Sequence, residues 1–122
     1  EAALEEERAK IARVIYNRLE NSIPLGIDAT IVYALGGDRE LTLTDLAVDS
    51  PYNTRLVSGL PPTPISAPGR ASIEAALEPA QGDWIFYVRT DEFGVGSHTF
   101  AITQEEFNAA VSICVERGLG CG

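Results

Sequence analysis

Carboxylates set among amides, hydroxyls and aromatic rings are the groups in this sequence with chemistry to offer. The chain opens EAALEEERAKIARVIYNRLE, where Leu4, Ile11, Val14, Ile15 and Leu19 recur at helical spacing and Glu5, Glu6, Glu7, Lys10 and Glu20 fall mostly elsewhere. At about 100° per residue, Glu1 lies roughly 60° from Leu4 and 40° from Ile15, which turns its carboxylate toward the buried side. A carboxylate short of water keeps its proton closer to neutral pH, as a general acid must. An acidic residue in a first helical turn is also what the helix dipole favours, so Glu1 carries both readings. Asp28 is the second candidate, serving either as a helix cap or as a site carboxylate. Asn17, Tyr52, Asn53 and Thr54 are the neutral hydrogen-bonding residues beside it in this scheme. That inventory suits carbohydrate, whose ring faces stack on aromatic side chains and whose hydroxyls are read by amides and hydroxyls.

Other chemistries fall away. Gly94-Val95-Gly96 lies in a turn between two strand patterns, the wrong context for a phosphate-binding loop. Ser97 and His98 are adjacent, so on an extended strand they point to opposite faces and cannot form a nucleophile–base pair. His98 is left either as an exposed hairpin residue or as one that lines a cleft. One histidine and two cysteines make a metal site a poor expectation. With 18 acidic against 9 basic side chains the formal charge is −9, which disfavours nucleic acid or an anionic membrane surface as partner.

The elements that must position these groups follow from pattern and punctuation. The first helix is expected over 1–20, ended by Ile23-Pro24. A short helix is expected over 29–35, capped by Asp28 and closed by Gly36-Gly37. Another is expected after Thr42 or Thr44, carrying Leu43, Leu46 and Val48. Residues 49–69 hold five of the seven prolines. Tyr52, Leu56, Val57, Leu60 and Ile65 make this stretch too apolar for a linker, so it reads as a long ordered loop. A helix over 70–77, a strand over 83–89 and a second strand over 97–102 complete a hairpin. Thr103 with Glu106 is a capping box for a last helix that buries Phe107, Val111 and Val115. The class is α+β, a single compact domain with a small antiparallel sheet. At 122 residues, 45% apolar and 22% charged, the chain has the composition of one globular domain.

The sequence has no methionine and opens inside a helical pattern, so it reads as a piece of a longer protein whose signal or anchor lies upstream. Cys114 and Cys121 are either free thiols or a disulfide that clamps the last helix to the tail. A bond would suit an oxidising, extracytoplasmic setting.

The segments ERAKIARVIYNRLENSIPLGIDATIVYALG, LTLTDLAVDSPYNTRLVSGLPPTPISAPG, ALEPAQGDWIFYV and GSHTF are collinear with one family. The chain resembles the YceG-like endolytic murein transglycosylases, the MltG family, from Glu1 to about Val111. Its Cys-bearing tail is similar to actinobacterial versions. The resemblance implies cleavage of the β-1,4 bond between N-acetylmuramic acid and N-acetylglucosamine in peptidoglycan, leaving 1,6-anhydro ends, with no metal or cofactor. The family's catalytic acid is a Glu ahead of the ER-x-K-x-A-x-V-x-x-NRL segment, and counting back without gaps from Glu7-Arg8 places it on Glu1. Supporting roles are expected for Asn17, Asp28, Tyr52, Asn53, Thr54 and His98, with Asp28 otherwise only a helix cap and Asn17 only a buried structural amide. Peptidoglycan strands are the implied partner, with peptidoglycan synthases nearby. The implied location is the outer face of the bacterial cytoplasmic membrane, reached through an upstream anchor. Two other readings remain: a peptidoglycan-binding module without turnover, and hydrolysis by water with Glu1 and Asp28 as an acid–base pair.

Overall fold

The computed structural model describes residues 5–37 and 40–121. Among them are helices α1 (Arg8–Glu20), α2 (Asp28–Ala34), α3 (Arg70–Leu77) and α4 (Gln104–Glu116), with one antiparallel pair, β1 (Phe86–Arg89) and β2 (His98–Ala101). The expected α+β class is borne out. The chain divides into two compact units, residues 1–17 with 68–122, and residues 18–67.

In the first unit, Glu5–Glu7 forms a 3-10 turn that leads into α1. The regular helix therefore starts at Arg8, and residues 1–4 of the expected helix lie outside the described ones. Ile11 and Val14 are buried, as their spacing requires. Polar groups fasten α1 to α3 and the segment after it. Arg13 Nε donates to the Ala80 carbonyl at 2.6 Å, the Tyr16 hydroxyl to the Ala76 carbonyl at 2.7 Å, and the Ala80 N–H to the Ala9 carbonyl at 3.0 Å.

The hairpin register pairs Phe86 with Ala101, Tyr87 with Phe100, Val88 with Thr99 and Arg89 with His98. Alternation puts Phe86, Val88, Thr99 and Ala101 on one face and Tyr87, Arg89, His98 and Phe100 on the other. The first face meets α4, where Phe86 stacks on Phe107 with centroids 4.7 Å apart. The capping box starts α4: Thr103 Oγ1 accepts from the Glu106 N–H while Glu106 accepts from the Thr103 N–H. Ala110 and Cys114 are buried, but Val115 is 65% exposed, against expectation. It stands about 100° around the helix from the centre of the Phe107, Ala110 and Cys114 stripe. Cys114 and Cys121 are disulfide-bonded with Cα atoms 6.0 Å apart, and Arg117 Nη1 donates to the Thr90 carbonyl at 2.9 Å. The first strand is shorter than 83–89 because the Gly82 and Trp84 carbonyls face the Asn17 amide.

The second unit is built on Leu25, Thr30, Ile31, Asn53 and Thr54, all buried. Asp28 is the first residue of α2, not its cap: Ile27 holds the cap position and no side chain bonds there as a cap. Past α2 the expected helix is a single 3-10 turn, Asp45–Ala47, closed by reciprocal bonds between Thr42 and Asp45. It stops early because Asn53 Nδ2 takes the Leu46 and Val48 carbonyls, at 3.1 and 2.9 Å.

Two carboxyls are shifted below their ordinary values. Asp91 is held there by its hydrogen bond from Arg89, with help from the Gly96 N–H, and Glu106 by the N–H groups of Thr103 and Ile102. A lowered folded pKa gives stability that is present above the ordinary carboxylate range and lost as pH falls through the folded value. Melting temperature followed downward from neutral pH should therefore fall on acidification, and the E106Q and D91N variants should each flatten that acid limb.

Candidate active site

The polar groups nominated from sequence separate by unit. In the first, α1 supplies Asn17, β2 supplies His98, and the 3-10 turn ahead of α1 adds Glu7. Glu7 is 6% exposed, and its carboxylate meets one residue twice: Oε2 accepts the His98 N–H at 2.8 Å, and Oε1 lies 2.8 Å from His98 Nδ1. His98 is therefore not an exposed hairpin residue: its side chain is 13% exposed and is held from the 3-10 turn ahead of α1. The Tyr87 ring lies edge-on to it at 5.5 Å, and Tyr87 stacks on Phe100 at 5.9 Å. Trp84 extends this aromatic row, 5.7 Å from Phe100, and the Lys10 ammonium stands 5.7 and 5.6 Å from the two ring centres, within cation–π range. One face of the hairpin is thus a run of aromatic rings ending on a carboxylate-bound imidazole.

The buried Asn17 amide donates to the carbonyls of Gly82 and Trp84 at 3.0 and 2.9 Å. Gly82 is required there for a second reason. A Cβ on it would lie 2.5–2.7 Å from three atoms of the Trp84 ring, so the ring rests on bare backbone.

In the second unit, the Asp28 carboxylate pairs with Arg55 Nε at 2.8 Å, both side chains a third exposed. Thr54 is buried, and its hydroxyl receives the Ile27 N–H at 2.9 Å and lies 3.0 Å from the Thr30 hydroxyl. Asn53 is fully buried and also receives the Arg55 N–H. These two side chains hold the loop to the start of α2 and to the segment before it. Tyr52 is different: its ring lies 5.1 Å from Tyr33, its hydroxyl meets the Thr63 hydroxyl at 2.8 Å, and Tyr33 is 46% exposed. Tyr33 lines an open, mostly apolar cavity of about 530 Å³ with Val32, Gly36 and Ile65. Glu1 lies outside the described residues. Among the described residues no group of three or more His, Cys, Asp or Glu is placed to hold a metal ion.

Sequence reasoning missed Glu7, Arg55, Trp84 and Tyr33. For Glu7 the signal was available: on a helix it stands about 40° from Ile11 and 20° from Val14, inside the buried stripe. For Arg55 none existed, because its partner is 27 residues away.

The YceG-like family model matches residues 1–113. The chain belongs to the YceG-like family. It is 41% identical over 111 residues to a protein of Bacillus subtilis named endolytic murein transglycosylase, a match covering 90% of this chain and 30% of that protein. A protein of the same name from Streptococcus pneumoniae is 33% identical over 118 residues, covering 92% of this chain and 21% of its own. The chain thus spans under a third of the length of these relatives. The crystal structure of a YceG-like protein from Listeria monocytogenes superposes with a TM-score of 0.73 at 44% identity, over 81% of this chain and 31% of that one. Within this YceG-like chain, Cys114 and Cys121 lie beyond the matched residues.

The Asn17–Gly82–Trp84 contact yields a direct test. G82A should force the ring off the backbone, costing about 1–3 kcal/mol, and should shift the emission of the chain's one tryptophan. Urea unfolding followed by fluorescence measures both.

Proposed function

We propose that this chain is the catalytic part of an endolytic peptidoglycan lytic transglycosylase. The observation that carries the reading is the 41% identity over 90% of the chain to a protein named endolytic murein transglycosylase. The substrate is the glycan strand of peptidoglycan and the bond cleaved is the β-1,4 link between N-acetylmuramic acid and N-acetylglucosamine. Glu1 acts first as an acid, giving its proton to the glycosidic oxygen as the C1–O bond breaks. The resulting carboxylate then takes the proton of the muramoyl C6 hydroxyl as that oxygen closes onto C1. A 1,6-anhydro end forms, water is not consumed, and Glu1 returns to its starting state. One residue handles both protons, unlike the two-carboxylate scheme of ordinary glycosidases.

The supporting residues divide by what their side chains are already bonded to. His98 and Tyr52, set among aromatic rings, are assigned to the glycan. Asn17, Asn53 and Thr54 are spent on buried hydrogen bonds and act by holding the hairpin entry and the loop in place. Asp28, tied to Arg55, is assigned a contact at the start of α2. No cofactor enters this chemistry. The reaction belongs on the outer face of the cytoplasmic membrane, beside the synthases that make the strands, and the Cys114–Cys121 disulfide suits an oxidising compartment.

Digestion of purified peptidoglycan by the protein, in a form extended upstream of Glu1, followed by mass spectrometry of the muropeptides, tests the reading. Anhydromuramoyl ends made by the parent and lost in the E1Q variant are expected. Equal yields from both would move the acid to another residue; reducing ends without the ring would mean hydrolysis; binding without cleavage would mean a glycan-binding module.

A further inference from the structure

The Glu7–His98 contact determines more than the position of a ring. An ionised carboxylate only accepts hydrogen bonds, so the 2.8 Å contact from Oε1 to Nδ1 places the proton on Nδ1. The second oxygen is occupied by the His98 N–H, so the carboxylate cannot turn away without stranding a backbone donor. In a neutral imidazole with Nδ1–H, the lone pair sits on Nε2. No described residue bonds Nε2, while among the described residues no buried side-chain nitrogen or oxygen lacks a partner. Nε2 therefore reaches solvent, although the side chain as a whole is only 13% exposed. Arg89, opposite His98 in the register, is taken up by Asp91 at 2.8 and 3.3 Å.

We propose that Glu7 is a positioning residue that locks His98 as the Nδ1–H tautomer, so that Nε2 accepts a hydrogen bond from a hydroxyl of a saccharide ligand. The ligand class follows from the surroundings. A lone pair backed by a carboxylate refuses phosphate and carboxylate groups and takes a neutral donor. The flanking Tyr87 and Phe100 rings offer apolar surface for the C–H groups of a sugar. The choice of N-acetylated glycan among saccharides rests on the transglycosylase reading.

A purely structural clamp would need only the Nδ1–H and the backbone N–H. Substitution at position 98 separates the two roles: in H98N the side-chain amide can still donate to Glu7, but nothing replaces Nε2. In E7Q the amide has one acceptor for two donors, and its NH2 group facing Nδ1 drives the ring to the Nε2–H tautomer.

His98 is the chain's one histidine, so long-range proton–nitrogen correlation NMR reports a single imidazole. Protonated Nδ1 and lone-pair Nε2 are expected in the parent at mildly alkaline pH, with the Nε2 resonance displaced by tetra-N-acetylchitotetraose, a β-1,4 oligomer of N-acetylglucosamine. E7Q should invert the tautomer. H98N should keep the parent melting temperature and bind the oligosaccharide about tenfold more weakly. A parent with protonated Nε2, an Nε2 resonance unmoved by millimolar oligosaccharide, or an H98N protein that binds as tightly as the parent would each overturn the proposal. Oligosaccharide that displaces the Nε2 resonance, from a protein that makes no anhydro ends, would support it while overturning the transglycosylase reading.

Discussion

Taking a carboxylate out of water costs on the order of several kcal/mol unless donors meet its oxygens, and the first unit is arranged around meeting those of Glu7. Both partners come from His98, one from the backbone and one from the ring. Because the two are chemically unlike, the carboxylate fixes where β2 begins and how the imidazole faces at the same time. Tyr87 and Phe100 lie on the same face of the hairpin, Trp84 extends their row, and Lys10, three residues after Glu7, stands over Trp84 and Phe100. One acid in the turn that leads into a helix can thus hold an imidazole at the start of a strand.

The same rule, that buried polar groups must be bonded, shapes the irregular parts of the chain. Asn17 satisfies the carbonyls that precede β1, and Asn53 satisfies those of Leu46, within the 3-10 turn at Asp45–Ala47, and Val48, just after it. Thr54 supplies both a hydroxyl and a carbonyl to the backbone N–H groups of Ile27 and Gly26 ahead of α2. Buried amides and hydroxyls here replace the ladders that regular structure would provide. This is how a segment with five prolines, which cannot donate from their nitrogens, holds a defined course.

What the sequence made legible was local. The α3 boundaries, the hairpin, the Thr103–Glu106 capping box and the position of α2 follow from spacing, caps and breakers within a few residues. The parts that failed depend on partners far along the chain. Asp28 looked like a cap because capping is a local motif, whereas its carboxylate is claimed by Arg55, 27 residues on. Glu7 was set among the polar positions by its residue type, although its angle on the helix matched Ile11 and Val14. The strand expected from residue 83 is cut back because Asn17, 65 and 67 residues earlier, binds the carbonyls at its start. In each case periodicity gave the face and chemistry across the fold decided the contact.

The start of β2 and the orientation of its ring depend on the link from Glu7 to His98. Amide hydrogen exchange of His98, compared between the parent and E7A, tests it most directly, since that N–H has a side-chain carboxylate as its acceptor. A protected amide is expected in the parent and exchange at least about tenfold faster at His98 in E7A, with the Phe86–Phe107 side of the hairpin retained. Equal exchange at His98 in the two proteins would contradict it.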